Sequence, residues 1–192
     1  MIETDGGVPQ RLTPEPSEDH EGTWSRDGRW IYFPSNRSGT DQIWKIPAEG
    51  GDAVQVTTGG GRYALESWDG RDVYYTKMES PPGIWRVPVG GGEEALVLLV
   101  PGLAWRGLSV SRSGVYYSFW HRRREYTLRT QGRGSEYSIH FLDFESGQEM
   151  KLFEEEDFAA TMDLAASPDD RWILTAQSPV PVSELMLVEN FR

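Results

Sequence analysis

The sequence contains no cysteine, which excludes disulfides, thiolate metal sites and cysteine nucleophiles and leaves the redox compartment open. Basic residues are outnumbered, 19 Lys and Arg against 30 Asp and Glu, for a net charge of −11. That balance argues against a surface that attracts nucleic acid or anionic lipid. No apolar run approaches the roughly 18 residues of a membrane span; the longest, residues 95–100, is strand-sized, so no membrane insertion is expected. Residues 1–7 lack the basic and apolar regions of an export signal. Histidine occurs only as His20, His121 and His140. Phosphate-cradling glycine loops, a calcium-binding EF-hand loop and Gly-x-Ser-x-Gly are all missing, so no metal, cofactor or nucleophilic hydrolysis is expected.

What the 192 residues do contain is aromatic: eight Trp, eight Tyr and seven Phe, together with 21 Gly. Many aromatics lie in short apolar or alternating runs bounded by Gly, Pro, Asp and Ser. Arg29-Trp30-Ile31-Tyr32-Phe33, Asp72-Val73-Tyr74-Tyr75 and Val115-Tyr116-Tyr117-Ser118-Phe119 are examples, and they read as strands joined by tight turns. One helix candidate spans residues 154–166, with acids first and alanines later; a repeat-based reading turns its second half into a strand.

That repeat has a period of about 42 residues. Ser25-Arg26-Asp27-Gly28-Arg29 recurs as Ser67-Trp68-Asp69-Gly70-Arg71, in weakened form as Ser111-Arg112-Ser113-Gly114, and as Ser167-Pro168-Asp169-Asp170-Arg171. Each copy is followed by an apolar run and then a second run, such as Gln42-Ile43-Trp44-Lys45-Ile46 or Gly83-Ile84-Trp85-Arg86-Val87. A glycine turn and a last short strand complete the unit. Four strands per unit is the content of a propeller blade. In the turn, Asp accepts backbone N–H groups and Gly supplies a positive φ. The predicted fold is therefore an all-β propeller of four-stranded antiparallel blades, about four in this chain. As a single domain over residues 1–192, its units are 14–57, 58–100, 101–153, and 154–192 with 1–13.

These residues resemble the TolB-like, WD40-like (PD40) β-propeller family. Ser167-Pro168-Asp169 and Gly6-Gly7-Val8-Pro9-Gln10-Arg11-Leu12-Thr13 match its turn and its Gly-Gly to Leu-Thr ending closely. Departures are Ser113 for the turn Asp, Asp170 for the turn Gly, and an insertion of about a dozen residues in the third unit. The resemblance implies a protein-interaction or sensor role at the bacterial envelope or periplasm. Residues 185–192 are similar to the end of larger bacterial regulators in which a DNA-binding or kinase domain precedes a propeller.

Aligning Gly7 with Gly51 leaves the chain starting with a fourth strand and ending without one. Residues 8–13 are therefore expected to pair with residues 184–189 in one composite blade, which would remove an open strand edge. The alternatives are a ring shared by two chains and an arc of a larger ring, so the chain is expected as a monomer or a ring-sharing homodimer.

Two groups of residues are candidate sites. The third-unit insertion, residues 121–134, holds five Arg and one Glu, a local charge of +4 in a chain of −11. Its His121, Arg122, Arg123, Arg124, Tyr126 and Arg129, with the preceding Trp120, could hold an anionic ligand or an acidic partner segment through guanidinium forks and stacking faces. The predicted first strands, lining a propeller's funnel, contribute Glu21, Glu66, Arg106 and Asp163. The expected function is a non-catalytic scaffold whose rim loops and funnel bind a protein, peptide or small ligand. The alternatives are a hydrolase or lyase with its site in the funnel, and a structural fragment that assembles into a larger ring.

Overall fold

The repeated serine organises the turn that opens each blade. In the computed structural model, Ser25, Ser67 and Ser167 each donate a hydroxyl hydrogen bond to the Asp two residues on, at 2.8, 2.7 and 2.6 Å. Each hydroxyl also accepts the backbone N–H of the residue five positions later, at 2.9, 3.0 and 3.0 Å. Asp27, Asp69 and Asp169 accept the N–H of the following Arg, as the sequence predicts. Gly28 and Gly70 sit at φ 71° and 70°, and Asp170 occupies the equivalent position at φ 56°. Asp is among the few residues with a side chain that tolerates this conformation.

The structure describes residues 1–2, 4–122, 135–156, 160–177 and 184–188, and every element in them is a strand. The first sheet is β1 (Thr23–Trp24), β2 (Trp30–Ser35), β3 (Gln42–Pro47) and β4 (Val54–Gln55). The second is β5 (Ala64–Glu66), β6 (Asp72–Lys77), β7 (Gly83–Pro88) and β8 (Ala95–Leu99). The third is β9 (Leu103–Val110), β10 (Gly114–Arg122), β11 (Ser135–Asp143) and β12 (Glu149–Glu156). The fourth is β13 (Ala160–Ala166), β14 (Ile173–Gln177) and β15 (Glu184–Val188). All pairings are antiparallel and sequential. Three apolar cores lie between successive sheets. One holds Tyr32, Ile43, Val73 and Tyr75, the next Tyr74, Ile84, Leu108 and Tyr117, and the third Tyr116, Tyr137, Ile139 and Ile173. This is the all-β propeller architecture that the repeat predicts.

Of the two readings of residues 154–166, the strand reading of the second half holds as β13, and the helix gives way to β12, where Glu154, Glu155 and Glu156 join the ladder opposite Ser138, Tyr137 and Glu136. Two expectations are corrected. The composite blade does not form among the described residues: the fourth sheet has three strands, and residues 8–13 are not a strand. Instead Gly6 and Gly7, at φ 97° and 137°, turn the chain so that Met1 and Gln10 bond each other through backbone and terminal amine, and Val8 stands 91% exposed. A local closure between near neighbours in sequence costs less loop entropy than pairing with the distant C-terminal strand. Finally, the third turn is shorter than its counterparts. Ser111 N–H bonds to Gly114 O, whereas Ser25 bonds to Trp30 and Ser67 to Asp72. Gly114 is thus the first residue of β10, where an added Cβ would lie 2.2 Å from Leu142 O; it is a packing glycine, not a turn glycine.

Candidate binding site at the propeller axis

The residue four positions before each turn serine is Glu21, Tyr63, Gly107 or Asp163 in the four sheets. Three of these carry side chains to a common place. At the third, a Cβ on Gly107 would meet Ser118 Oγ at 2.2 Å, and the β9–β10 ladder shifts register between Tyr117 and Phe119. The neighbouring Arg106 takes the place that Gly107 leaves. Its Nη1 lies 3.1 Å from Asp163 Oδ1 and its Nη2 lies 3.6 Å from Glu21 Oε1, so one guanidinium ties the first, third and fourth sheets together.

Tyr63 completes the group from the second sheet. Burial pushes its phenol above the ordinary range, Arg106 opposes the rise, and Asp163 and Glu21 add to it. The phenol therefore stays protonated at neutral pH as a donor. Tyr63, Arg106 and Asp163 open onto a cavity of about 230 Å³ whose other wall is Leu164, Ala165, Leu174, Thr175 and Ala176. Two carboxylates against one guanidinium leave a net charge of −1. Glu21 Oε2 is buried and accepts no hydrogen bond, an acceptor in want of a donor. The guanidinium stands between the two carboxylates, and no three His, Asp or Glu side chains gather as a metal-ligand set among the described residues.

The sequence-predicted funnel residues thus divide. Glu21, Arg106 and Asp163 are brought together; Glu66 is not. It lies one position before Ser67, three from Tyr63, so strand alternation puts it on the opposite face. There its carboxylate is buried between sheets, accepting Tyr32 OH at 2.7 Å and Arg26 N–H at 3.2 Å. Tyr63 is not among the sequence-predicted residues, although the matching offset from the serine marks it. Just before the basic insertion, Trp120 packs on Tyr137 with ring centroids 5.1 Å apart. His121 and Arg122 extend β10 opposite Glu136 and Ser135. Arg123, Arg124, Tyr126 and Arg129 lie outside the described residues. His140 stacks with Tyr117 and Phe119 within the third sheet.

Comparison with known proteins bears on the scaffold. An uncharacterized protein of Agrobacterium fabrum, Atu1656, is 39% identical over 56 residues, 29% of this chain and 19% of that one. TolB from Acinetobacter baumannii superposes with TM-score 0.75 at 16% identity, over 98% of this chain and 45% of that one. Oligogalacturonate lyase from Vibrio parahaemolyticus gives TM-score 0.68 at 18% identity, over 87% of this chain and 49% of that one. The chain therefore spans about a fifth of that curated relative and about half of these solved structures, and at such identities the likeness is one of fold. The model of the TolB beta propeller domain, PD40, matches residues 1–97. With half its residues under that match and its successive sheets built on the same serine turn, the chain belongs to the PD40 TolB beta-propeller family.

Proposed function

We propose that this chain is a non-catalytic binding module whose axial mouth takes a protein or peptide segment presenting a cationic side chain. The observation that carries this reading is the Glu21–Arg106–Asp163 cluster: it is net negative, opens on a cavity, and holds a buried carboxylate oxygen without a donor. A lysine ammonium or arginine entering there would satisfy Glu21 Oε2 and find Asp163 beside it. The test is calorimetric titration of the chain with short lysine-containing peptides and with the same peptides carrying glutamine. Lysine peptides are expected to bind, with Glu21→Gln weakening them about tenfold. Equal binding of both sets, or no effect of Glu21→Gln, refutes the reading, and turnover of oligogalacturonate by the purified chain would replace it with an enzymatic one.

The exposed end faces support a partner of a second kind. Tyr32, Tyr74 and Tyr116 occupy one repeat position facing the next sheet and are 1%, 6% and 3% exposed, whereas Leu174 at that position in the fourth sheet is 38% exposed. Trp24, on the opposite end face at the position of Glu66, is 55% exposed. Each face carries the surface that elsewhere receives a neighbouring blade, so two copies joined head to tail would cover both. Light scattering on the purified chain is expected to give twice 21.7 kDa, and Leu174→Asp a monomer; a monomeric parent chain rejects the shared ring.

A further inference from the structure

We propose that the groove between the second and third sheets, at the end carrying the serine turns, is a binding site for an aromatic carboxylate. The groove is a consequence of the shortened third turn. Where the other turns place four residues between the serine and its backbone partner, the third places Arg112 and Ser113 alone, and a cavity of about 390 Å³ opens beside it. That volume is within the range of small-ligand sites.

Its lining combines flat apolar faces with a guanidinium. Tyr74 and Phe144 stack with centroids 5.4 Å apart, and Trp68 stands beside them. Two guanidiniums lie against the Trp68 indole, that of Arg26 at 4.8 Å and that of Arg112 at 5.0 Å. Arg26, Trp68 and Arg112 follow the turn serines of three successive sheets, so the repeat itself stacks them. Arg26 also donates to Val110 O at 3.0 Å. Arg112 forms no ion pair among the described residues, in a chain of net charge −11 where Arg37, Arg62, Arg86 and Arg106 all have carboxylate partners. The indole contact holds the Arg112 guanidinium at the groove, where its fork of N–H donors can take a carboxylate bidentately.

The acids in the lining set the charge limit. Asp72 lies 3.6 Å from Arg86, and Asp69 accepts Ser67 hydroxyl and Arg71 N–H. Both repel a dianion such as phosphate while leaving room for one negative charge at Arg112. An aromatic ring supplies the stacking area on Trp68 and the Tyr74–Phe144 pair.

The test is titration of the full chain, followed by NMR and calorimetry, with phenylacetate and with a tripeptide ending in phenylalanine, as the free acid and as the C-terminal amide. Saturable binding of a free acid below about 1 mM is expected, lost at least tenfold in Arg112→Gln and in the amide, with Arg112→Lys intermediate. Phenylacetate binding as tightly as the tripeptide identifies a small-molecule acid; the tripeptide alone binding identifies a peptide C-terminus. No saturation by either probe, equal binding of acetate, or undiminished binding by an Arg112→Gln chain with the parent's circular dichroism overturns the proposal.

Discussion

Glu94, between β7 and β8, fastens the connection from the first sheet to the second, and removing it should loosen that crossing. One carboxylate oxygen accepts the backbone N–H groups of Thr58 at 2.5 Å and Gly59 at 2.9 Å; the other accepts Tyr75 OH at 2.7 Å and faces Lys77 Nζ at 3.4 Å. Lys77 is itself buried, with its ammonium 3.9 Å from the centre of the Trp85 ring. Glu94→Ala strands that ammonium, for which the loss of a buried partner costs about 3–5 kcal/mol. The N–H groups of Thr58 and Gly59 lie near the surface and recover water, so they add little. A destabilisation of about 3 kcal/mol follows, equivalent to roughly 6–12 °C in Tm for a chain of this size. Adding Lys77→Met to Glu94→Ala should recover part of it by removing the uncompensated charge. The donors also fix the pH dependence. Burial pushes the Glu94 carboxyl up, but the bonds from Thr58, Tyr75 and Gly59 and the charge of Lys77 outweigh it and hold it below the usual carboxylate range. A carboxyl lowered on folding stabilises fully above its unfolded value and loses that contribution as pH falls through the folded one. Urea denaturation followed by circular dichroism should therefore show a gap between parent and Glu94→Gln that is full at pH 7 and narrows below about pH 4. A gap under about 0.5 kcal/mol at pH 7, or one unchanged down to pH 3, refutes the reasoning.

Two further outcomes test the turns and the packing glycines. Asp170 combines a positive φ with acceptance of Ser113 hydroxyl at 2.9 Å; Asp170→Gly exchanges the bond for relief of the backbone and should stay within about 0.5 kcal/mol of the parent, while Asp170→Ala loses the bond without the relief and should cost about 2 kcal/mol in urea midpoint terms. Gly114→Ala places its methyl 2.2 Å from a backbone oxygen, whereas Gly61→Ala meets the movable Ile43 side chain at 2.7 Å; thermal melts should show Gly61→Ala lowered by about 1–3 kcal/mol and Gly114→Ala by more.

The fold was legible because its information is local and repeated. The Ser-x-Asp-Gly segment fixes a turn through bonds among residues within five positions of each other, and the apolar strands that follow need only an antiparallel neighbour to bury them. The composite blade failed on the same ground: it required a long-range pairing for which residues 8–13 offer only Val8 and Leu12 as aliphatic side chains, with Pro9 lacking a ladder N–H, while two glycines close the N-terminal segment on itself. The axial site was legible in part. Glu21, Arg106 and Asp163 emerge from the first strands as the ionisable side chains of those windows. Glu66 belongs to the same window as Tyr63, and separating them takes strand parity counted from the serine, which places one toward the axis and the other against Tyr32. Arg106 obeys no such count: it reaches the axis because Gly107, filling the proper position, sits too close to Ser118 for any side chain. The turn-end groove was hidden for a related reason. Ser111-Arg112-Ser113-Gly114 aligns with the repeat apart from Ser113 in place of Asp, and the loss of two residues shows in which carbonyl Ser111 finds. In a repeat protein the pattern predicts the scaffold, and both pockets described above arise where one unit departs from it: a missing side chain at Gly107 admits Arg106 to the axis, and two missing turn residues open the space beside Arg112.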